Sequence, residues 1–401
     1  MSRRLALIAL TAAFVGGLPG CAQGPSGYAG MRTSVGASAS MADSNRQQFF
    51  GELMGPLDAN RDGALQREEA HDTWLQSDFD RLDANRDATL DRAELDRFIA
   101  GKPEAQSEGF GGAVGVGAGL IGVGLAGYLA YAGMVGSTDL MFPAREDFRR
   151  DPAAYQMPFE KVDFKSHDGL KLAGWYVPAA VKTDKALLIL HGHGSNKDSV
   201  FRKYGNWLRQ KYNVFLYDQR HAGESEGKFV SLGYLERQDA VLALEQLRRR
   251  GNTQLGVFGE SMGGAVAINT AATVPDVKCV VTDCAFDSMV DAVGPRAAAR
   301  KYPLPGLVAQ SVVKTASLRA GHDLDDADPV KWVAKIAPRP FFLIHGMQDH
   351  ETVPMNGEKL FAAAQEPKQA WWPANSKHCT AWKDYPDEYK QRVFGFLEKS
   401  L

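Results

Sequence analysis

From about residue 155 to the C-terminus, short apolar runs alternate with longer amphipathic segments. The short runs are bounded by turn residues, which is typical of buried β-strands. They are ALLILHG (186–192), NVFLYD (213–218), LGVFGE (255–260), CVVTDC (279–284) and FFLIHG (341–346). Candidate helices lie between them, near 198–211, 231–250 and 262–274. This alternation predicts an α/β fold with a doubly wound, mostly parallel sheet and helices on both faces.

A different apolar segment precedes this domain. Residues 109–138 carry no charged side chain and many glycines. The segment is long enough to cross a bilayer, and Gly111, Gly115 and Gly119 have the spacing of close-packing membrane helices. Dense glycine disfavours a helix in water, so a loose linker or a surface-associated hairpin is the alternative. Both interpretations stay open, and we favour a segment that lies on the membrane surface.

The first residues have the pattern of an export signal. Two arginines precede an uncharged apolar run from Leu5 to Leu18, and small residues follow. The sequence LPGC that ends at Cys21 is similar to a bacterial lipobox, which predicts lipidation of Cys21, although Pro19 is unusual there. A plain signal peptide or an uncleaved anchor over 1–21 is the alternative. Residues 22–45 are rich in Gly, Ser and Ala and predict a flexible tether.

Two segments after the tether have the spacing of calcium loops. DANRDGALQREE (58–69) fits the pattern D-x-[DN]-x-[DN]-G-x5-E at every position, and DANRDATLDRAE (83–94) repeats it. Oxygen ligands at these positions suit a hard cation. The predicted calcium ligands are Asp58, Asn60, Asp62, Ala64 through its carbonyl, Gln66 and Glu69 in the first loop, and Asp83, Asn85, Asp87, Thr89, Asp91 and Glu94 in the second.

The two loops differ at one position and share another. Ala88 stands where the first loop has Gly63, and a β-carbon in a left-handed turn costs about 1 kcal/mol. Leu65 and Leu90 occupy the same loop position and are expected to pair as a small sheet. Residues 46–101 resemble a tandem EF-hand module, which implies a small all-α pair that binds Ca²⁺. A degenerate module kept as a folded spacer is the alternative.

Composition excludes some functions. The formal net charge of −2 gives no electrostatic case for nucleic-acid binding. The four cysteines do not suggest a disulfide framework, since Cys279 and Cys284 would lie on opposite faces of one strand.

Ser261 is the candidate nucleophile. It lies in GESMG (259–263), which fits G-x-S-x-G, between an apolar strand and an alanine-rich helix. In that context the glycines allow a strained turn that lifts the serine hydroxyl clear of the sheet. The alternative is a serine that only caps the following helix.

A serine nucleophile needs a base and an orienting acid. Asp349 follows the strand FFLIHG, and His378 is the last histidine of the chain. Asp283 is the rival acid, and His350 is a poor rival base because it adjoins Asp349. The alternative roles are a turn residue for Asp349 and a surface histidine for His378.

The oxyanion of the reaction needs two backbone N–H groups near the serine. We expect these from Met262 and from His193, in the loop after the first strand. His191 and His193 do not predict a metal site, because no third ligand stands at suitable spacing. No cofactor is expected for catalysis.

Residues 155–401 resemble the α/β-hydrolase superfamily, in particular its esterase/lipase and serine-aminopeptidase-like group. The segments HGHGSN, YDQRHAGESEG, GESMGG and IHGMQDHETVP occur in the expected order. The resemblance implies a lid over about 285–338. Two departures touch loops near the site: His221-Ala222 replaces a usual Gly-x-Gly run, and Cys379 follows the candidate base.

These features predict a serine hydrolase that cleaves a small ester, or a thioester or amide, through an acyl-enzyme. A serine peptidase is the nearest alternative, and a calcium-binding scaffold with an inert hydrolase fold is an alternative of another class. Calcium is expected to be structural or regulatory. The N-terminus predicts an exported protein of the bacterial cell envelope, bound to the membrane by a lipid anchor, the apolar segment or both.

Overall fold

The computed structural model describes residues 64–66, 83, 85, 87–91, 113–147 and 150–401, and the side chains from residue 125 onward within the long helix that begins at Ala113. The chain divides into two compact units, Met1–Phe110 and Gly111–Leu401.

The first unit contains a two-stranded antiparallel sheet. Strand β1 (Leu65–Gln66) pairs with β2 (Thr89–Leu90), with Leu65 opposite Leu90. This is the pairing that the register of the two loops predicts. Ala88 has φ +67°, so it adopts the left-handed conformation for which the first loop has a glycine.

The second unit is built on an eight-stranded sheet in the order β10-β9-β8-β7-β5-β6-β4-β3. Strands β3 and β4 form an antiparallel hairpin at one edge, β4 also runs antiparallel to β6, and the remaining neighbours are parallel. The strands are β3 Glu160–Lys165, β4 Lys171–Val177, β5 Lys185–Leu190, β6 Asn213–Tyr217, β7 Gln254–Glu260, β8 Val277–Asp283, β9 Phe341–Ile344 and β10 Lys368–Trp371. The mixed, mostly parallel sheet is the one that the apolar runs predict.

Helices cover both faces of this sheet. They are α1 Ala113–Met141, α2 Lys197–Val200, α3 Asn206–Leu208, α4 Glu236–Arg248, α5 Met262–Thr273, α6 Met289–Ala299, α7 Pro305–Ala320, α8 Pro354–Ala363, α9 Ala381–Asp384 and α10 Pro386–Ser400. A π-helical turn, Phe201–Gly205, joins α2 to α3, and 3-10 turns lie at Pro152–Tyr155, Leu324–Ala327, Pro329–Lys331 and Val333–Ile336. One apolar core packs α4, α5 and α8 on the sheet, and a second packs α2, α3 and α10 on its other face.

A third apolar cluster lies above the carboxyl ends of the strands. It joins the end of α1 to the lid helices α6 and α7 and to Met262 at the start of α5. Helices α6 and α7 lie between β8 and β9, in the segment to which the family resemblance assigns a lid.

Helix α1 differs from expectation. The sequence predicts a separate segment over residues 109–138 and a hydrolase domain that starts near residue 155. In the structure, the compact unit that contains the sheet begins at Gly111. The reason is packing: from Leu125 onward the helix lies along α7, and Ala132 and Met141 are almost fully buried. Among the helices of the described residues, none is both long and apolar enough to cross a membrane.

Candidate active site

Ser261 lies in a strained turn between β7 and α5. Its φ is +51° and its ψ is −121°, a conformation that side chains rarely adopt. The turn depends on its glycines, since a β-carbon on Gly259 would collide with the backbone of Gly263, and one on Gly263 would collide with the carbonyls of Leu190 and His191. Helix α5 therefore approaches β5 and β7 closely, and the hydroxyl of Ser261 projects from the sheet edge.

The structure brings Ser261, His378 and Asp349 together. Nε2 of His378 lies 3.0 Å from Oγ of Ser261, and Nδ1 of His378 lies 2.7 Å from Oδ2 of Asp349. Asp349 follows the end of β9, and His378 lies in the loop between β10 and α9. Loops at the carboxyl ends of three strands thus place the three candidate residues in one hydrogen-bonded chain.

The loop after β9 fixes the carboxylate of Asp349. Its Oδ1 accepts the backbone N–H groups of Glu351 (2.9 Å) and Thr352 (3.0 Å), and the Thr352 hydroxyl lies 3.0 Å from Oδ2. Burial alone would raise the pKa of Asp349, but the hydrogen bond from His378 and the backbone N–H of Glu351 outweigh it and the pKa is lowered. Asp349 therefore stays ionised beside the imidazole.

His378 has the complementary shift. Burial disfavours its charged form, but the hydrogen bond to Asp349 and the neighbouring Cys284 outweigh burial, so the pKa of His378 is raised above its usual value. The imidazolium that forms when the ring accepts a proton is stabilised by the same carboxylate.

The rival acid Asp283 has a different role. Oδ2 of Asp283 accepts the hydroxyl of Tyr389 at 2.8 Å and lies 3.2 Å from the hydroxyl oxygen of Tyr204, and burial raises the pKa of Asp283 to about 6. Its backbone carbonyl accepts the N–H of Ser261 at 2.8 Å, so it supports the strained turn through the backbone. His350 is exposed in the loop after Asp349.

The oxyanion candidates flank the serine. Met262 is the first residue of α5, where the opening N–H groups of a helix lack intrahelical partners and the helix dipole favours negative charge. The ring Nε2 of His193 donates to the carbonyl of Leu140 at 2.7 Å, which fixes this loop residue against the end of α1. Burial lowers the pKa of His193, so the ring is neutral near pH 7.

A cavity leads away from the serine under the lid. A narrow neck of about 20 Å³ is lined by Ser261, Met262 and apolar lid side chains such as Phe286 and Met289. It continues into a chamber of about 270 Å³ between α1, α6 and α7. The arrangement gives a substrate access to the hydroxyl of Ser261 through a mainly apolar neck and a chamber of mixed polarity, which Asp139, Arg296 and Arg300 also line.

Known proteins with related sequences identify the family of this chain. Residues 181–312 match the family described as serine aminopeptidase, S33. The chain is also 30% identical to the uncharacterised protein YfhR of Salmonella typhi over 253 residues, which cover 60% of this chain and 82% of that protein. The chain belongs to the S33-like family of α/β-hydrolases. The family match includes Ser261, Met262 and His193, whereas Asp349 and His378 lie beyond it.

Other relatives of this S33-like protein agree in fold. The Pyrococcus furiosus esterase Pf2001 superposes with a TM-score of 0.55 at 24% identity, over 65% of this chain and 98% of that one. Thiohydrolase aneE of Aspergillus aculeatus is 28% identical over 215 residues, which cover 49% of this chain and 63% of that protein.

Several site residues of the S33-like protein escaped the sequence analysis. Thr352 stands three residues after Asp349, a spacing at which a hydroxyl can reach back to a carboxylate. This spacing is the only feature of the sequence that could have indicated its contact with Asp349. Arg296 of the lid lines both the neck and the chamber. Leu140 gave no signal, because its contact with His193 joins segments far apart in sequence.

A second polar network lies behind the serine. Nζ of Lys203 lies 2.9 Å from each oxygen of Glu260, the residue before Ser261, and the Tyr204 hydroxyl donates to the same carboxylate at 2.9 Å. A buried carboxylate needs such partners. Glu260 therefore anchors β7 to the turn that joins α2 and α3.

The calcium-loop residues are described only in part. In the second loop, the buried carboxylate of Asp83 accepts the backbone N–H groups of Asp87 (3.1 Å) and Ala88 (2.9 Å). The Thr89 hydroxyl donates to Asp87 at 2.7 Å and the Thr89 backbone N–H donates to it at 2.8 Å, and these two hydrogen bonds lower the pKa of Asp87. Carboxylate and amide oxygens thus accept backbone hydrogen bonds in the described part of this loop, and such oxygens are the donors that a hard cation prefers. Ala64, Gln66, Asn85 and Asp91 are also described.

The remaining N-terminal predictions lie outside the described residues. They concern the signal over 1–21, Cys21, the tether over 22–45, the helices of the EF-hand pair and the ligands Asp58, Asn60, Asp62, Glu69 and Glu94.

Proposed function

We propose that this protein is a serine esterase that cleaves a carboxylic ester through an acyl-enzyme. The observation that carries the proposal is the chain of hydrogen-bond distances from Ser261 through His378 to Asp349, 3.0 Å and 2.7 Å, at the inner end of an apolar cavity. A serine is a weak nucleophile without such a base, and a histidine needs an acid to hold the tautomer that can accept a proton.

The reaction has two halves. In the first, Nε2 of His378 takes the proton of Ser261 while the serine oxygen adds to the ester carbonyl. His378 then returns that proton to the leaving alcohol as the acyl–oxygen bond breaks. In the second half, water attacks the acyl-enzyme with His378 again as the base, and the acid and Ser261 are released. Asp349 stays ionised and stabilises the transient imidazolium.

Negative charge develops on the carbonyl oxygen in both halves. We assign its stabilisation to the backbone N–H groups of Met262 and His193. The hydrogen bond from the His193 ring to Leu140 supports this assignment, because it holds the loop that carries the second N–H in one place.

Esters are favoured over peptides by the lining of the neck. An aminopeptidase must bind a free ammonium group, and no carboxylate belongs to the described residues that line the neck. The carboxylates that line the chamber, Asp139 and Glu351, are already paired with Arg300 and Arg296. A thioester is the second candidate substrate, since one relative is a thiohydrolase and the acyl-enzyme chemistry is the same.

For the first unit we propose a separate role. The tandem loops bind Ca²⁺ through the oxygens named above and keep the module folded, and the module lies between a lipidated Cys21 and the hydrolase domain. The pairing of Leu65 with Leu90 and the hydrogen bonds within the described part of the second loop support this proposal. The proposed location is the bacterial cell envelope, where calcium is abundant enough to fill weak sites.

The test of the esterase is hydrolysis of p-nitrophenyl butyrate by the full chain and by Ser261→Ala. We expect the variant to lose activity by about 10⁶-fold in kcat, the loss typical of a removed serine nucleophile. Absence of hydrolysis by the wild-type protein with calcium present, across acetate to decanoate esters and thioesters, would leave the inert scaffold as the better explanation.

A further inference from the structure

The cavity beyond the neck is a chamber whose walls come from three helices. Leu140, His193, Val293 and Arg296 line both the neck and the chamber, so the two spaces adjoin. The chamber reaches the surface between charged pairs, where Nη1 of Arg300 lies 2.7 Å from Oδ2 of Asp139. A chain that starts at Ser261 can therefore run through the chamber toward solvent.

Helix α1 supplies one wall. Ala132, Gly136, Asp139 and Leu140 all line the chamber, although they precede the segment that matches the family. The helix sits close to α7 because it has glycines there: a β-carbon on Gly133 would lie 2.5 Å from Oγ1 of Thr315, and one on Gly136 would collide with Val312.

Polar contacts fix the same wall. Nη1 of Arg319 on α7 donates to the hydroxyl groups of Ser137 and Thr138, each at 2.8 Å, and Ser311 donates to the carbonyl of Leu129 at 2.7 Å. The end of α1 is thus held on the lid by close packing and by hydrogen bonds, which makes its side chains a fixed boundary of the chamber.

The neck shows which half of an ester enters. His378 must reach the leaving oxygen in order to protonate it, so the alcohol lies on the His378 side. The oxyanion candidate His193 lines both the neck and the chamber, Met262 lines the neck, and His378 lines neither. The acyl chain is therefore the part that occupies the chamber.

We infer that the last turns of α1 form the wall of an acyl-chain site and that the preferred substrates are esters of unbranched, medium-length acids. The inference rests on the proposed esterase activity. The chamber, at about 270 Å³, has room for a chain of several methylene groups. The neck, at about 20 Å³ on the same measure, has room for roughly one water-sized group, which disfavours a branch beside the carbonyl carbon.

The experiment measures kcat/KM for p-nitrophenyl esters of straight acids from two to twelve carbons and for the 2-methylpropanoate. In the wild-type protein, kcat/KM should rise by up to roughly fourfold per added methylene, the factor that corresponds to about 0.8 kcal/mol per buried CH₂, and should level off once the acyl chain fills the chamber. The 2-methylpropanoate should react at least about tenfold more slowly than the butanoate, a difference of about 1.4 kcal/mol.

Two variants of α1 test the wall. Leu140→Ala should cut the preference for butanoate over 2-methylpropanoate to about threefold or less, because it widens the neck. Ala132→Leu fills part of the chamber and should move the plateau about three carbons shorter. Leu125→Ala, on an exposed part of the same helix, is the matched control and should keep the wild-type profile.

The possible failures are distinct. No hydrolysis and no labelling by a fluorophosphonate would contradict the esterase itself. Hydrolysis with a flat chain-length profile, or with profiles that Leu140→Ala and Ala132→Leu both leave unchanged, would overturn the acyl-chain site while the esterase stands. A dependence on alcohol length in a series of acetate esters, without one on acyl length, would overturn the assignment of the chamber to the acyl chain.

Discussion

The carboxylate of Asp349 gives the most specific prediction, because an asparagine in its place can keep most of the contacts. In Asp349→Asn the amide oxygen can still accept the backbone N–H groups of Glu351 and Thr352, which lie 2.9 Å and 3.0 Å from Oδ1. The amide NH₂ then faces Nδ1 of His378 at the position where Oδ2 lies 2.7 Å away. Since that NH₂ donates, Nδ1 must be the unprotonated nitrogen, and Nε2 carries the hydrogen toward Ser261.

A histidine in that tautomer cannot accept the serine proton. The expected loss is about 10⁴-fold in kcat, a magnitude known for the same substitution in a serine-protease triad, and it corresponds to about 5.4 kcal/mol. Hydrolysis of p-nitrophenyl butyrate measures the loss, and thermal unfolding checks that the variant is folded.

The rival carboxylate is the matched control. Asp283→Asn removes a carboxylate that bonds Tyr389 and Tyr204 and whose pKa is already raised to about 6, so kcat should change by less than about tenfold. Asp349→Asn with activity within tenfold of the wild type, or a larger loss in Asp283→Asn, would refute the assignment of the acid.

Four further predictions follow from the structure. The pKa of His378 is raised above its usual 6.5, and only the neutral ring can act as the base. In a pH–rate profile, kcat/KM should therefore increase with pH through that raised pKa. An increase that is complete at or below pH 6.5 would argue against the Asp349–His378 pair. Gly263→Ala should lower the free energy of unfolding in urea by about 1–3 kcal/mol or more and should also lower kcat, because the new β-carbon meets the backbone at the end of β5. An unchanged stability would mean that the turn is not tightly packed. Ala88→Gly should strengthen calcium binding in the second loop by about 1 kcal/mol, roughly fivefold by titration calorimetry, because φ +67° suits glycine; unchanged or weaker binding would count against that loop as a calcium site. Chelation of calcium with EDTA should leave the kcat of the full chain within about twofold, and abolition of activity would show that the metal takes part in the chemistry.

The strand ends could be predicted from the sequence because each buried strand is a short apolar run with a polar residue after it. Ser261 follows the run of β7 and Asp349 follows that of β9, and parallel strands bring these ends to one edge. The edge hairpin of β3 and β4 was missed, although Glu160–Lys165 alternates exposed and buried positions near its end. A strand with one solvated face has too few apolar residues to stand out as a run.

The role of α1 could not be predicted, because its signals have more than one physical meaning. Small residues at helical spacing allow close packing in a membrane and equally against α7, where Gly133 and Gly136 meet Thr315 and Val312. Only the folded chain shows that Leu140 contacts His193, since that contact depends on how the lid and the sheet edge come together.

The central claim is that Ser261 is an activated nucleophile. Its most direct test is to treat the folded, calcium-replete full chain with a fluorophosphonate and to locate the adduct by mass spectrometry of its peptides. The account predicts one phosphonate on the peptide that contains Ser261, none on that peptide after Asp349→Asn or His378→Ala within the same time, and loss of esterase activity in step with labelling. An adduct at another residue, or an unlabelled Ser261 in a protein that hydrolyses esters, would contradict it.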